Sequence, residues 1–515
     1  MKNIKILIAI LTVAFLLFST SIAYAQELKV IVGIKNNSPN IEDQLQNITG
    51  LVQFSKIPNS KIIMLKVKSE YIDDVITNLN RLTWVKFVET SKRQRFSSIP
   101  YDNLAELKTS NWYGEIGGDE LKSIANGRPV VVAVIDSGID LNNPALSSRI
   151  FINSREVAGD GIDNDGNGFV DDVWGWDFGD SENNVQDGLG HGTEVSSIVV
   201  SLSKDAKILP IKINPANADF FETAALIRSI YYAISRGAKV INLSIAMQVQ
   251  SPGVMEAIKD AYDRGIVIVT AAGNSGDRVS FPASMNQTIA VGSTDNEVRA
   301  SFSPSGEALD VVAPGINLKT ISIDGRITYV SGTSFSAAMV SAECANIISM
   351  NPNFSNREIK DIIQKGTIDL GEEGWDVEFG AGKINGEKLY SILTPKIILP
   401  DKPFYAFSKL YPLSVSINIP ITTFSFLLIA VETPDHNFFW LDSYGWHDLS
   451  NGIGPFIQLG PQSNPQTSTL FGEGGYFMTL DLTNVPPGLY KWYTVLTDNT
   501  LSFLSPLSCS YMLIF

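Results

Sequence analysis

Three side chains, each in its own short motif, have the types needed to break an acyl bond together. Val131 to Asp140 reads VVAVIDSGID, an apolar strand that delivers Asp136 to its end before a tight Ser137-Gly138 turn. His191 opens HGTEV within a glycine-rich turn that leads into an apolar helical stretch, Val195 to Val200. Ser334 lies in SGTSFSAAMVSA, after a loop glycine and at the start of a helix of small residues. There the unpaired backbone N–H groups and the helix dipole favour developing negative charge. A carboxylate can hold an imidazole in one tautomer, the imidazole can take a hydroxyl proton, and the hydroxyl can attack a carbonyl. Taken singly, each has a plainer role: the aspartate as a turn-former, the serine as a helix N-cap. The chain has 3 histidines, and the other two, His436 and His447, fall in a β-rich region suited to surface or structural roles.

The elements around these motifs predict how they would be positioned. Between about Asn111 and Leu393, apolar strands at Val130 to Ile135, Lys207 to Ile213, Val240 to Ile245 and Ile266 to Thr270 alternate with helical stretches. That alternation predicts an α/β fold with a parallel sheet covered on both faces, and such sheets put their sites at strand ends. From Leu28 onward the pattern is strand (Val30 to Ile34), helix, strand, strand (Lys61 to Val67), helix and strand (Val85 to Glu89). The second helix has Ile72, Val75, Ile76, Leu79 and Leu82 at helical spacing, with Ser69 as its N-cap. This small α+β unit ends at an exposed basic run, Lys92-Arg93-Gln94-Arg95, before a polar linker. After Thr394, alternating aromatic-rich strands such as Leu413-Val415-Ile417-Ile419 and Tyr490 to Leu496 predict an all-β sandwich. Its aromatics form either a core or a binding surface.

A length of 515 residues implies several domains. The formal net charge of -15 argues against nucleic acid and anionic membrane surfaces as partners. The N-terminus has Lys2 and Lys5, an apolar run from Ile6 to Phe18, and Ala23-Tyr24-Ala25, the plan of a cleaved secretory signal. No later run is long enough to span a bilayer, so the expected product is exported, to medium or periplasm, with no membrane attachment after signal removal. Cys344 and Cys509 are the 2 cysteines, read either as separate buried thiols or as one bridge. Gly159 to Asp172, GDGIDNDGNGFVDD, spaces Asp163, Asp165 and Asn167 around Gly168 like the front half of a calcium loop, with Asp171 and Asp172 behind them. Trp174 stands where an EF-hand would close with glutamate, so an EF-hand is not expected.

Taken together the motifs resemble the subtilisin-like serine peptidases. The resemblance runs from about Tyr101 to Leu393, through D-S-G at Asp136, H-G-T at His191, A-A-G-N at Ala271 to Asn274 and G-T-S at Ser334, in the family's order of Asp, His and Ser. It implies a serine endopeptidase acting through Asp136, His191 and Ser334, with Asn274 donating to the oxyanion. Ser244-Ile245-Ala246 resembles the substrate-binding strand, with alanine in place of the usual glycine. Glu194 replaces a second histidine, and Ala338-Met339 replaces a Pro-His pair. The family's acidic loops imply structural calcium. Its precursors imply a signal at 1–25, an inhibitor-type prodomain at 26–100 removed autocatalytically between Lys92 and Pro100, the catalytic domain at 101–393 and a β domain at 394–515. The expected partners are polypeptide substrates and the chain's own prodomain, on a monomer. A catalytically silent relative that binds through its β domain is the competing expectation.

Overall fold

The computed structural model describes residues 27–35, 40–96, 111–216 and 218–393, and beyond them the backbone of the strands between Lys396 and Ile514. The leader expected at 1–25 and the linker at 97–110 lie outside the described residues.

The first unit is an antiparallel sheet in the order β2-β3-β1-β4, built from β1 (Glu27–Ile34), β2 (Leu51–Lys56), β3 (Ile62–Lys68) and β4 (Val85–Thr90). Alternation along β1 divides its side chains between two cores. Val30 and Val32 pack with Leu65, Val75, Leu79 and Trp84 under helices α1 (Ile41–Gln46) and α2 (Ile72–Asn80). Ile31 instead joins the core of the domain that follows. Ser69 does not cap α2. A 3-10 turn, Ser69–Tyr71, leads into the helix, the Ile72 N–H bonds the Ser69 carbonyl, and Tyr71 takes the cap position with no side-chain bond. Within the basic run, Arg93–Arg95 forms a short strand, β5.

The central sheet is assembled from β6 (Val130–Asp136), β7 (Trp176–Asp177), β8 (Ala206–Lys212), β10 (Val240–Leu243), β11 (Val267–Ala271), β12 (Ile289–Asp295) and β14 (Val311–Pro314); two short strands intervene, β9 (Phe220–Glu222) and β13 (Val298–Arg299). Its order is β14-β12-β11-β10-β6-β8-β7, parallel throughout, with Lys383–Ile384 and Thr367–Ile368 added beyond β14. Helices α3 (His191–Leu202), α4 (Thr223–Ser235), α5 (Pro252–Asp263) and α6 (Thr333–Met350) cover it. Helices α3 and α6 pack into the core on one face, α4 and α5 into the core on the other. All of α6 is buried, as its run of alanine, serine and aliphatic residues without a polar face requires. The chain enters at β6, moves outward to β8, then returns to the opposite side of β6 as β10. That reversal opens a crevice at the strands' carboxyl ends.

The strands expected at Lys207 to Ile213 and Ile266 to Thr270 are each displaced by one residue, and β10 ends two residues early, releasing Ser244 and Ile245 from the ladder. Past residue 393 the described backbone forms antiparallel pairs around Leu410–Ile417 and a sheet through Phe438–Asp442, Ser425–Glu432, Gly488–Thr497 and Ser508–Ile514.

Candidate active site

Asp136 is the last residue of β6 and is fully buried. Its Oδ1 accepts from the Ser137 N–H at 2.7 Å and meets His191 Nδ1 at 2.8 Å. That bond assigns the Nδ1 proton to the carboxylate and leaves Nε2 as the basic edge. His191 is the first residue of α3, so bringing it to Asp136 requires the helix start to lie on the turn after β6. Two glycines make this possible. A Cβ on Gly192 would lie 2.1 Å from the Gly138 carbonyl, and Gly138 has a φ of 112° with the Val185 carbonyl 2.5 Å from any Cβ.

Asp187, which the motif reading passed over, locks the two segments together. Its Oδ1 accepts from Ser137 Oγ, Leu189 N–H and Gly190 N–H, and its Oδ2 from Thr193 N–H and Thr193 Oγ, all between 2.8 and 2.9 Å. Ser137 Oγ in turn accepts from Gly192 N–H at 2.9 Å. Burial opposes a charged imidazole at His191, but the Asp136 carboxylate in contact with it, then Glu194 and Asp187, push its pKa up to about 9. Glu194, one turn along α3, is itself raised to about 7, first by burial and then by Asp187 and Asp136 against the attraction of His191.

Ser334 is the second residue of α6. Gly332 holds the cap position with φ 144°, so the serine is not the N-cap. Its Oγ donates to the Ser244 carbonyl at 3.2 Å, and Ser244 Oγ donates to the Ser334 carbonyl at 2.8 Å. The Ser334 hydroxyl is thus bonded at the end of β10. The His191 ring faces the start of α6, 5.5 Å from the ring of Phe335. Asn274 follows β11, where its Oδ1 accepts from Thr333 N–H and Thr333 Oγ, both at 3.0 Å. Because a backbone N–H can only donate, this fixes the amide orientation and makes the opposite end the donor. Ala246 stands beside the same loop, its Cβ 3.7 Å from where a Cβ on Gly273 would be. Ser244 and Ile245 are buried and Ala246 is half-buried.

The β5 strand ends on this site. It pairs antiparallel with β9, and the Phe96 ring that follows lies 6.1 Å from the His191 ring and 5.4 Å from that of Phe221. The unit carrying β5 is docked on α5: Glu89 Oε1 accepts from Ser251 Oγ and Gly253 N–H, both at 2.8 Å, and Lys86 pairs with Glu256 at 2.7 Å.

In the acidic loop, carboxylate oxygens of Glu156, Asp165 and Asp172 converge within 4.8 Å of one another. Glu156 lies outside the run that the sequence singled out. Asp163 accepts from the N–H groups of Asn167 and Gly168, Asp171 from those of Gly159 and Gly161, and Asn167 donates to Asp172. The converging donors are all oxygens, which suits a hard cation. Arg236 reaches Asp165 at 2.8 Å and Asp172 at 3.6 Å, and Arg155 reaches Asp165 at 4.0 Å, so two guanidinium groups already face this cluster of carboxylates. A second acidic group, Asp177, Asp180 and Glu182, has the Lys212 ammonium against Asp177 and 3.8 Å from Asp180. Cys344 is buried in α6 and forms no disulfide, whereas the Cys509 side chain lies outside those described.

The family model for the Subtilase family matches residues 127–382. Thermitase of Thermoactinomyces vulgaris is 30% identical over 262 residues, covering 48% of this chain and 86% of that protein. Subtilisin of Bacillus pumilus is 31% identical over 274 residues, covering 50% and 90%. Subtilisin E of Bacillus subtilis (strain 168) is 28% identical over 410 residues, covering 74% and 97%. Similarity at this level across nearly the whole of these relatives, over the residues that fold into the parallel sheet and its crevice, shows that the chain belongs to the subtilase family.

Proposed function

We propose that this subtilase is an exported serine endopeptidase, made as a precursor that processes itself, with Asp136, His191 and Ser334 as its catalytic residues. The observation that carries the reading is the 2.8 Å bond between His191 Nδ1 and Asp136 at the sheet's reversal point. When Ser334 turns from the Ser244 carbonyl, His191 Nε2 takes the hydroxyl proton as Oγ bonds to the scissile carbonyl carbon. The carbonyl oxygen gains the negative charge, and the Asn274 amide and the N–H groups opening α6 are suited to receive it. Collapse to the acyl-enzyme breaks the C–N bond as His191 returns the proton to the leaving amine, and water repeats the sequence to release the acid. Substrate adds as an extended strand beside Ser244, Ile245 and Ala246.

In this reading residues 26–100 are the prodomain, which inhibits until it is cut away. Supporting this are its docking on α5 through Glu89 and the end of β5 beside His191. Glu156, Asp165 and Asp172 would hold structural calcium. When bound, the ion cross-links the loop and offsets its negative charge. Residues 394–515 form a separate β-sandwich, and the product acts as a monomer. No residue of the proposed triad is replaced, so the silent alternative is not adopted. The test is to express the chain from Gln26 with calcium, as wild type and as Ser334→Ala, and follow intact mass and casein digestion. Self-shortening and digestion by the wild type alone are expected. Shortening of the Ser334→Ala protein without added peptidase would overturn the autocatalytic part.

A further inference from the structure

Where the leading unit rests on α4, the two units enclose a cavity of about 370 Å³. A single cross-strand row forms one wall: Lys29 of β1 stands opposite Lys66 of β3, and Lys66 opposite Gln53 of β2. Residues paired in this way point to the same face with Cβ atoms about 5 Å apart, so two ammonium groups share one rim. Arg228 of α4 and Phe178, just after β7, supply the other wall. The Arg228 guanidinium lies 4.9 Å over the Phe178 ring. Half-buried there, it has no hydrogen bond or ion pair among the described residues, and burial pushes its pKa down. A guanidinium does not shed its proton in a protein, so a half-buried one without an acceptor is costly. Lys66 likewise has no ion pair among the described residues, whereas Lys29 pairs with Glu222 at 2.8 Å. Ser181 also lines the cavity, but the acids flanking it, Asp180 and Glu182, converge on Asp177 and its Lys212 partner. Three positive charges against one negative leave a net charge of plus two around the cavity, in a chain whose own net charge is -15.

We propose that this cavity binds a doubly charged tetrahedral oxyanion, inorganic phosphate or sulfate, which bridges the leading unit to the peptidase domain. Because the Phe178 ring covers one face of the Arg228 guanidinium, its N–H edge is the donor, and two parallel N–H groups suit two oxyanion oxygens. The lysines act as point charges at the rim, and Gln53 adds an amide donor. A ligand held by groups from both units binds the joined form more tightly than either part, so by linkage it holds the parts together. Resting on the reading of residues 26–100 as an inhibitory prodomain, the anion therefore delays activation.

The test titrates sodium phosphate into the uncut Ser334→Ala protein by calorimetry, in calcium-free buffer with ionic strength held by sodium chloride. One saturable site with a Kd of about 1 mM or tighter is expected, and sodium sulfate should compete for it. Arg228→Gln and, separately, the exposed Lys66→Gln should each weaken binding by about tenfold or more in proteins that still unfold cooperatively. Heat no larger than a chloride control gives overturns the site, and so does binding unchanged in either variant. In the wild type, saturating phosphate in the same buffer should lengthen the delay before casein digestion by about threefold, and Lys66→Gln should remove that effect. Binding without a longer delay, in a protein that digests casein, overturns the control of activation and leaves the peptidase reading intact. Failure to digest casein while phosphate still binds overturns the peptidase reading but not the anion site.

Discussion

Glu343 sits in the middle of α6 with no exposure, and neither carboxyl oxygen has a hydrogen-bond partner among the described residues. Burial alone pushes its pKa from 4.5 up to about 8. A pKa raised on folding means the native state holds the proton more tightly than the unfolded chain. The associated stability is fully present below about pH 4.5 and is lost as pH rises through about 8. At 1.36 kcal/mol per pH unit, that interval corresponds to about 5 kcal/mol. Glu343→Gln keeps the shape and removes the titration. Its offset from the parent protein should therefore shift by about 5 kcal/mol in favour of glutamine between about pH 4 and about pH 9. Urea unfolding at several pH values, in a Ser334→Ala background to prevent autolysis and with calcium held constant, measures this offset. Parallel stability profiles for the two proteins would refute the buried neutral acid. Asn346 Oδ1, one turn further along, also lacks a hydrogen-bond partner among the described residues.

Asp187→Ala should lower kcat by about tenfold or more and destabilise by about 3 kcal/mol, because five donors lose their buried acceptor while the triad side chains remain; kinetics with urea unfolding checks both. Glu194→Gln should move the acid limb of kcat/KM to lower pH, by roughly half a unit, since removing a neighbouring negative charge weakens the hold on the His191 proton. A pH–rate profile decides this, and an upward movement would contradict it. A chelator should lower the melting temperature of the Ser334→Ala protein by several degrees, on the order of a 1 to 2 kcal/mol loss. Glu156→Gln should reduce that response; an unchanged response would place the ion elsewhere.

The proposed catalytic residues were legible as candidates because each lies in a short local pattern. Asp136 ends an apolar strand, His191 follows a glycine with positive φ, and Ser334 opens a helix of small residues, so each announced itself in its own segment. The parallel sheet was legible for a related reason: strands buried on both faces read as continuous apolar runs. What stayed hidden depends on contacts between distant segments. Asp187 has an ordinary loop context, and only the fold shows it joining the turn after β6 to the start of α3. Glu156 lies outside the glycine-rich loop whose spacing suggested calcium. The β5 strand reads as a solvated charge run because its outward residues are arginines, and its partner β9 is more than a hundred residues away. Ser69 has the chemistry of a cap, but a 3-10 turn intervenes. Glu343 gives no signal in sequence, since one carboxylate in an apolar helix is usually found on an exposed face.

In the proposed mechanism Ser334 is a nucleophile activated by His191 and Asp136. Labelling with a serine-directed fluorophosphonate, followed by peptide mass mapping, tests it most directly. One modified residue, Ser334, is expected, with labelling abolished in Ser334→Ala and His191→Ala and strongly slowed in Asp136→Asn. Absence of label on the self-shortened wild type, or label that persists in His191→Ala at the wild-type rate, would contradict it.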